Sequence, residues 1–194
     1  MRVPCHHMCI ANHNPFHVLQ ASQGNFCQFD LTSLGECQNY PYGYEPVNGA
    51  VSPCVFLKLN RIFNLTPQPY TPDDLDSDEL KEDELKEEHI RTIISEQETP
   101  KPFVDCQGEY PADKEALDGK MDYFPKDQSI SMKYFPMKTK EQNQNALVAL
   151  RVRDLPVGRM VQVICKVYYK GVKHEKKTKS GLVQFQLFVT PKAE

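Results

Sequence analysis

The sequence predicts a mainly β protein, an immunoglobulin-like antiparallel β-sandwich. Disulfides cross-link this sandwich, and an acidic helical or irregular insertion interrupts it. Three observations predict it: short apolar segments alternate with period two, turn-forming residues separate them, and the 194 residues include seven cysteines. Short alternating strands between turns are typical of two-sheet β domains. Seven cysteines without a Cys-x-x-Cys pair favour disulfides in an oxidising compartment over a zinc site.

Length and charge bound the class of protein. A hydrophobic content of 40% is enough for one core, so we expect a single domain over residues 24–194 after a poorly ordered or mispredicted segment, 1–23. The net charge of -3 gives no signal for a nucleic-acid partner or an anionic membrane surface. No apolar run reaches the ~18 residues that a membrane-spanning helix needs.

The first 23 residues contain several side chains that could bind a metal. Zinc sites usually combine separated ligand pairs held by secondary structure, whereas adjacent histidines lie here in a segment without periodicity. We therefore expect no metal site and no cofactor. The side chains concerned are Cys5, His6, His7, Cys9, His13 and His17.

Two strands are predicted in the first third of the domain. Residues 24–31 alternate Cys27, Phe29 and Leu31 against polar neighbours. The run from Cys54 to Phe63 puts Val55, Leu57 and Leu59 on one face, the spacing of a half-buried core strand. A bridge from Cys54 to Cys37 would close the loop between them and stabilise the fold by roughly 3 kcal/mol.

A glycosylation sequon, Asn64-Leu65-Thr66, follows the core strand. Asn64 is a candidate glycan acceptor if the chain enters the secretory pathway, although Pro67 directly after the sequon lowers the expected occupancy.

The acidic insertion covers about residues 71–99. Ten acidic residues and two lysines lie between Asp73 and Glu88, and apolar side chains at 90, 93 and 94 predict a helix toward its end. We interpret the insertion as a solvated surface segment. Calcium binding is the disfavoured alternative, because no glycine-containing coordination loop is present.

Two aromatic-proline elements follow the return of the chain to the core at 103–111. Aromatic side chains held by proline suit a partner interface because they bury much area at low conformational cost. The alternative is that they close loops over the domain's own core. The residues are Tyr123 and Phe124 before Pro125, and Tyr134 and Phe135 before Pro136.

Residues 146–189 have the clearest β pattern, with three alternating segments that a turn at 155–158 and a basic loop at 170–181 separate. We expect an antiparallel meander. Five lysines in the loop predict a solvated hairpin tip, with phosphate or lipid-headgroup contact as the alternative. The expected inward residues are Val148, Leu150, Val152, Val161, Val163, Cys165, Val167, Tyr169, Val183, Phe185, Leu187 and Val189.

Several of these segments together resemble the beta subunit of P-type sodium/potassium-transporting ATPases, a family that includes the beta subunit of the proton/potassium pump. The resemblance spans Gly24 to Val189, and residues 111–113 are closest to an invertebrate-like form. It rests on Gly43-Tyr44 before the run Pro53–Ile62, on Cys27 and Leu34-Gly35-Glu36-Cys37, on Cys106-Gln107-Gly108, and on the strand layout of the C-terminal third.

The resemblance implies three disulfides, Cys37–Cys54, Cys106–Cys165 and Cys27 with Cys9 (or Cys5). It implies a non-catalytic ectodomain at the plasma membrane, of single-pass type II topology, whose membrane span is missing from this chain. The partner would be the catalytic alpha subunit, and the second aromatic-proline element would belong to the surface that binds it. The segment 137–145 is shorter and more polar than the family's pattern, a departure that bears on the detail and strength of this contact.

No sequence motif indicates catalysis. A Gly-rich phosphate loop, a nucleophile elbow and a zinc-protease helix are all absent from the sequence. We therefore expect an accessory subunit rather than an enzyme. A secreted or cell-surface adhesion module without a pump partner, and a thiol- or metal-dependent enzyme, are the alternatives.

Overall fold

Six strands build two antiparallel sheets in the computed structural model, which describes residues 29–59, 62–76, 85, 87–136 and 147–190. Sheet 1 has the order β1-β4-β3, and sheet 2 has the order β2-β5-β6. The predicted mainly β fold is confirmed. The strands are β1 (Cys54–Lys58), β2 (Phe103–Gly108), β3 (Met121–Phe124), β4 (Leu147–Val152), β5 (Met160–Tyr168) and β6 (Leu182–Phe188).

The two sheets enclose one shared apolar core. Alternate residues of each strand point into it, as the period-two pattern predicts. Leu150 of β4 and Val163 of β5 are fully buried there, and Phe185 of β6 packs against the same cluster. Burial of this layer is the main stabilising contribution to the fold. The core residues include Leu57, Val104, Cys106, Val148, Val152, Val161, Cys165 and Val167.

The predicted meander of the last three strands is wrong. β5 and β6 form the expected hairpin, but β4 pairs with β1 and β3 in the other sheet. The turn at Leu155–Gly158 therefore carries the chain from one sheet to the other, with Gly158 in the left-handed region at φ 73°. Leu155 is buried in the shared core, which fixes this crossing.

The end of the predicted strand over 24–31 is not a strand in the structure. Residues 24–28 lie outside the described part, and a 3-10 helix begins at Leu31 and continues to Gln38. Asp30 caps it, because its carboxylate accepts a 2.9 Å hydrogen bond from the Thr32 amide. A local side-chain cap thus overrides the alternating pattern.

Each sheet carries an outer layer. The 3-10 helix Leu31–Gln38 covers the outer face of sheet 1, with Leu34 and Cys37 buried against Ala149. Helix α1 (Glu88–Glu96), the predicted helix of the acidic insertion, covers sheet 2. Its Ile90 and Ile94 are buried in a cluster with Phe103 and Tyr168, whose rings stack with centroids 4.9 Å apart. The predicted solvated surface segment therefore also contributes a buried helix face to the domain.

A second helix that the sequence did not predict, α2 (Pro111–Leu117), packs on β2 and β5. Its start is fixed by the Tyr110 amide, which donates to the Asp113 carboxylate at 3.3 Å. Gly108 permits this contact, since an added Cβ would lie 2.2 Å from the Lys114 nitrogen. The glycine of the Cys-x-Gly element is therefore explained by the close packing of α2 on β2.

Candidate partner interface

The outer face of sheet 1 carries a row of apolar side chains across all three strands. Ala149 pairs with Phe56 of β1 on one side and with Phe124 of β3 on the other. Ala149 is fully buried under the 3-10 helix, whereas Phe56 is 37% exposed and Phe124 is half-buried. Aromatic side chains thus emerge on both sides of the covering helix.

The Cys37–Cys54 disulfide ties the covering helix to this sheet. Gly35 approaches the sheet closely, with φ 52° and a virtual Cβ only 2.4 Å from the Phe124 ring. Only glycine fits both the backbone conformation and the space. The position of the Phe124 ring is therefore set by a glycine of the segment that the disulfide holds.

The first aromatic surface, which we call the Phe124 flank, consists of Phe29, Phe124 and Tyr134. The Phe29 and Tyr134 ring centroids are 6.1 Å apart, and the Lys133 ammonium lies 5.0 Å from the Tyr134 centroid. Phe135 and Pro136 follow directly and are half-buried. Of the predicted partner residues, Phe124 and Tyr134 thus lie in this flank, and Tyr134 and Phe135 also pack against the shared core.

Tyr123 is separated from this flank. It neighbours Phe124 on β3, so its side chain points to the opposite face of the sheet, into the shared core. Its hydroxyl accepts from the Cys106 amide at 2.8 Å and donates to the Cys106 carbonyl at 3.3 Å. Burial, with the nearby Asp105 carboxylate, raises the pKa of the Tyr123 phenol. Tyr123 therefore bridges the two sheets.

The second aromatic surface, the Tyr42 flank, was not among the predicted site residues. Tyr40 and Tyr42 have ring centroids 6.0 Å apart, and Tyr42 meets Phe56 edge to face at 5.5 Å. Tyr40 is 81% exposed. The signal was present as three tyrosines in the run Tyr40-Pro41-Tyr42-Gly43-Tyr44, within the predicted loop between Cys37 and Cys54.

Two further predictions concern cysteines and the sequon. Cys106 and Cys165 face each other in the β2–β5 register and form a disulfide, so both described pairs agree with the implied pairing. Cys5, Cys9 and Cys27 lie outside the described residues. Asn64 is exposed in a turn at φ 61°, and its glycosylation stays a prediction.

The described residues contain no group of three or more histidine, cysteine or acidic side chains that could hold a metal ion. Within the same part of the chain, no helix is long and apolar enough to cross a membrane.

His89 links helix α1 to sheet 2. Its Nε2 lies 3.2 Å from the Asp105 Oδ2, and Asp105 is buried on β2. The hydrogen bond to Asp105 raises the pKa of His89 above its ordinary value of 6.5, although partial burial opposes the shift. Glu87, with an oxygen 3.6 Å from Nδ1, also favours the charged ring, whereas Lys114 disfavours it.

A pH-dependent stability follows from this pair. Because the pKa of His89 is raised in the folded state, its contribution is fully present below pH 6.5 and is lost as the pH rises through the folded-state pKa. We expect the free energy of unfolding, measured by urea denaturation, to fall over that range. His89→Gln should remove this part of the fall, while the other histidines remain as the internal control. An identical pH profile in both proteins would contradict the assignment.

Comparison with known proteins gives a single family. A family model described as the sodium/potassium ATPase beta chain matches residues 1–185. The chain is 27% identical over 176 residues to sodium/potassium-transporting ATPase subunit beta-2 of Drosophila melanogaster, covering 86% of this chain and 50% of that protein.

Two further relatives have the same pattern. The chain is 30% identical over 169 residues to sodium/potassium-transporting ATPase subunit beta-1 of Drosophila melanogaster, covering 84% of this chain and 50% of that protein. It is 29% identical over 170 residues to the probable sodium/potassium-transporting ATPase subunit beta-3 of Caenorhabditis briggsae, covering 86% of this chain and 46% of that protein. The chain therefore spans about half the length of the curated relatives it matches.

Proposed function

Since the chain belongs to the sodium/potassium ATPase beta-chain family, we propose that it is a non-catalytic subunit that binds the catalytic alpha subunit of a P-type ATPase. In this role it supports the folding of the alpha subunit, its delivery to the membrane and the transport of sodium and potassium. The family match over residues 1–185 is the observation that carries the proposal.

The proposal places the two sheets on the extracellular side of the plasma membrane. The two disulfides support this location, because such bonds form and persist in oxidising compartments. On the route through the secretory pathway, the exposed Asn64 is a glycan acceptor.

We propose the Phe124 flank as the surface that contacts the alpha subunit. Phe124 and Tyr134 support this choice, because they are partly exposed and pack against buried clusters of the domain, and the partly exposed Phe135 and Pro136 follow Tyr134 directly. Preordered aromatic side chains lose little conformational entropy on binding. Tyr123 contributes indirectly, by holding β3 against β2 through its hydroxyl.

Substitution of Tyr134 by alanine is expected to weaken the complex at least about tenfold, the loss typical of an aromatic interface anchor. Lys133→Glu tests the same surface without touching the core, since Lys133 is exposed and lies beside the Tyr134 ring. The measurement is the amount of alpha subunit that co-purifies with each variant when both subunits are co-expressed.

Lys177→Glu is the matched control, because Lys177 is an exposed lysine at the tip of the β5–β6 hairpin, far in sequence from the flank. It should leave co-purification unchanged. If no alpha subunit co-purifies with the wild-type chain, the proposed function fails. If the wild-type complex forms but Tyr134→Ala does not weaken it, or Lys177→Glu weakens it equally, only the choice of surface fails.

A further inference from the structure

Among the described residues, strand β6 pairs only with β5 and is therefore an edge strand of sheet 2. The Val167 amide donates to the Gly181 carbonyl at 2.9 Å, and the Gly158 amide donates to the Val189 carbonyl at 2.8 Å. In both bonds the acceptor is an odd-numbered residue at an end of the β6 segment, and its carbonyl points toward β5 or the turn before it. Because backbone direction alternates along a strand, the N–H and C=O groups of the even-numbered residues point away from β5.

This free edge is unprotected in the described part of the chain. No backbone hydrogen bond there reaches Leu182, Gln184, Gln186 or Phe188 from outside β5. Natural edge strands usually carry charges, prolines or bulges that block pairing, yet residues 182–188 contain none of these.

The edges of β1 and β2 are at least partly covered. At β1, the Cys54 amide donates to the Tyr42 carbonyl at 2.8 Å. At β2, the Val104 amide donates to the Gln128 carbonyl at 3.0 Å, and Phe103 forms a bridge with Ser129. The open edge of β6 therefore differs from the edge of β1 and from that of β2, which is the opposite edge of the same sheet.

The sequence of β6 is self-complementary about Phe185. Gln184 and Gln186 flank the centre, Val183 and Leu187 follow, and Leu182 and Phe188 stand at the ends. When two such strands lie antiparallel with both Phe185 residues on a two-fold axis, like faces like: glutamine opposite glutamine and apolar opposite apolar. The central pair is then non-hydrogen-bonded, and every even-numbered pair is hydrogen-bonded.

We propose that two copies of this chain associate through β6, with the two strands antiparallel and Phe185 on the two-fold axis. Sheet 2 then becomes a continuous six-stranded sheet across the dimer. Gln184 lies opposite the partner's Gln186, and each such pair forms the two N–H···O bonds that the free edge leaves unmade. On the inner face, Val183, now 43% exposed, meets the partner's Leu187.

The dimer is weak and depends on concentration, because an edge pairing buries less area than a standard interface of about 800 Å² per partner. It uses sheet 2, whereas the proposed alpha contact lies on sheet 1. The two proposals are therefore tested separately.

Sedimentation velocity of the full chain with its disulfides intact tests the pairing. Across a roughly hundredfold rise in concentration, the wild-type mass should increase from that of a monomer toward twice that value. The double variant Gln184→Lys with Gln186→Lys puts lysine opposite lysine in the proposed register and should stay monomeric.

The register itself is tested by Gln184→Lys combined with Gln186→Glu. Lysine then lies opposite the partner's position 186, which carries glutamate, so dimerisation should return. Both positions are exposed and project from the outer face, and equal unfolding midpoints would verify that the variants are folded. A monomeric wild type, a dimer that survives two lysines, or equal behaviour of the two double variants would each overturn the proposal.

Discussion

Removal of the Cys106–Cys165 disulfide is expected to lower the free energy of unfolding by about 4 kcal/mol. The bond joins residues 59 positions apart in sequence, so its loss frees a long loop in the unfolded chain. The two cysteines face each other on β2 and β5 in the shared core. The change is the double substitution Cys106→Ala with Cys165→Ala, which leaves no free thiol at this site, and urea denaturation measures the result.

The second disulfide supplies the matched control. Cys37 and Cys54 are only 17 positions apart, so replacing both by alanine should cost about 3 kcal/mol by the same loop-closure entropy. The two double variants remove the same number of atoms, which leaves loop length as the main difference. If the shorter bridge proves the more stabilising, loop closure does not explain the effect.

Truncation of Ile90 to alanine is expected to cost about 2 to 5 kcal/mol of unfolding free energy, the range for large buried aliphatic side chains. Ile90 of α1 is fully buried in the cluster that contains the stacked rings of Phe103 and Tyr168. The cavity would lie in the layer that holds the acidic insertion on sheet 2. Thermal or urea unfolding of the folded variant gives the measurement.

Ile93→Ala is the control on the same helix. Ile93 is only partly buried against the same cluster, so the identical truncation should cost clearly less than at Ile90. Equal costs at the two positions would mean that the helix is not docked through its Ile90 face.

The local patterns predicted several elements correctly. Alternation placed Leu57, Val163 and Phe185 on the inward faces of their strands, and the isoleucines at 90, 93 and 94 predicted α1. Both kinds of element follow from a periodicity that a few neighbouring residues set by themselves.

Helix α2 could not be predicted in the same way. Its seven residues are too few for a periodic signal, and it depends on the cap between Tyr110 and Asp113 and on close contact with Gly108. Short helices of this kind are stabilised by tertiary packing rather than by their own propensity. The Tyr42 flank was missed for a related reason, since its aromatic cluster forms only when the loop meets Phe56 on β1.

The sequence by itself determined which side of each strand is apolar, that cysteines cross-link the chain, and the family to which it belongs. The tertiary structure decided which sheet each strand joins. β4 belongs to sheet 1 and not to the meander that we expected. It also placed Tyr123 in the shared core and Phe124 on the outer face of sheet 1, and within the described residues β6 pairs on one edge only. The physical reason is that side-chain alternation is a local property of the backbone, whereas strand pairing depends on contacts between residues far apart in sequence.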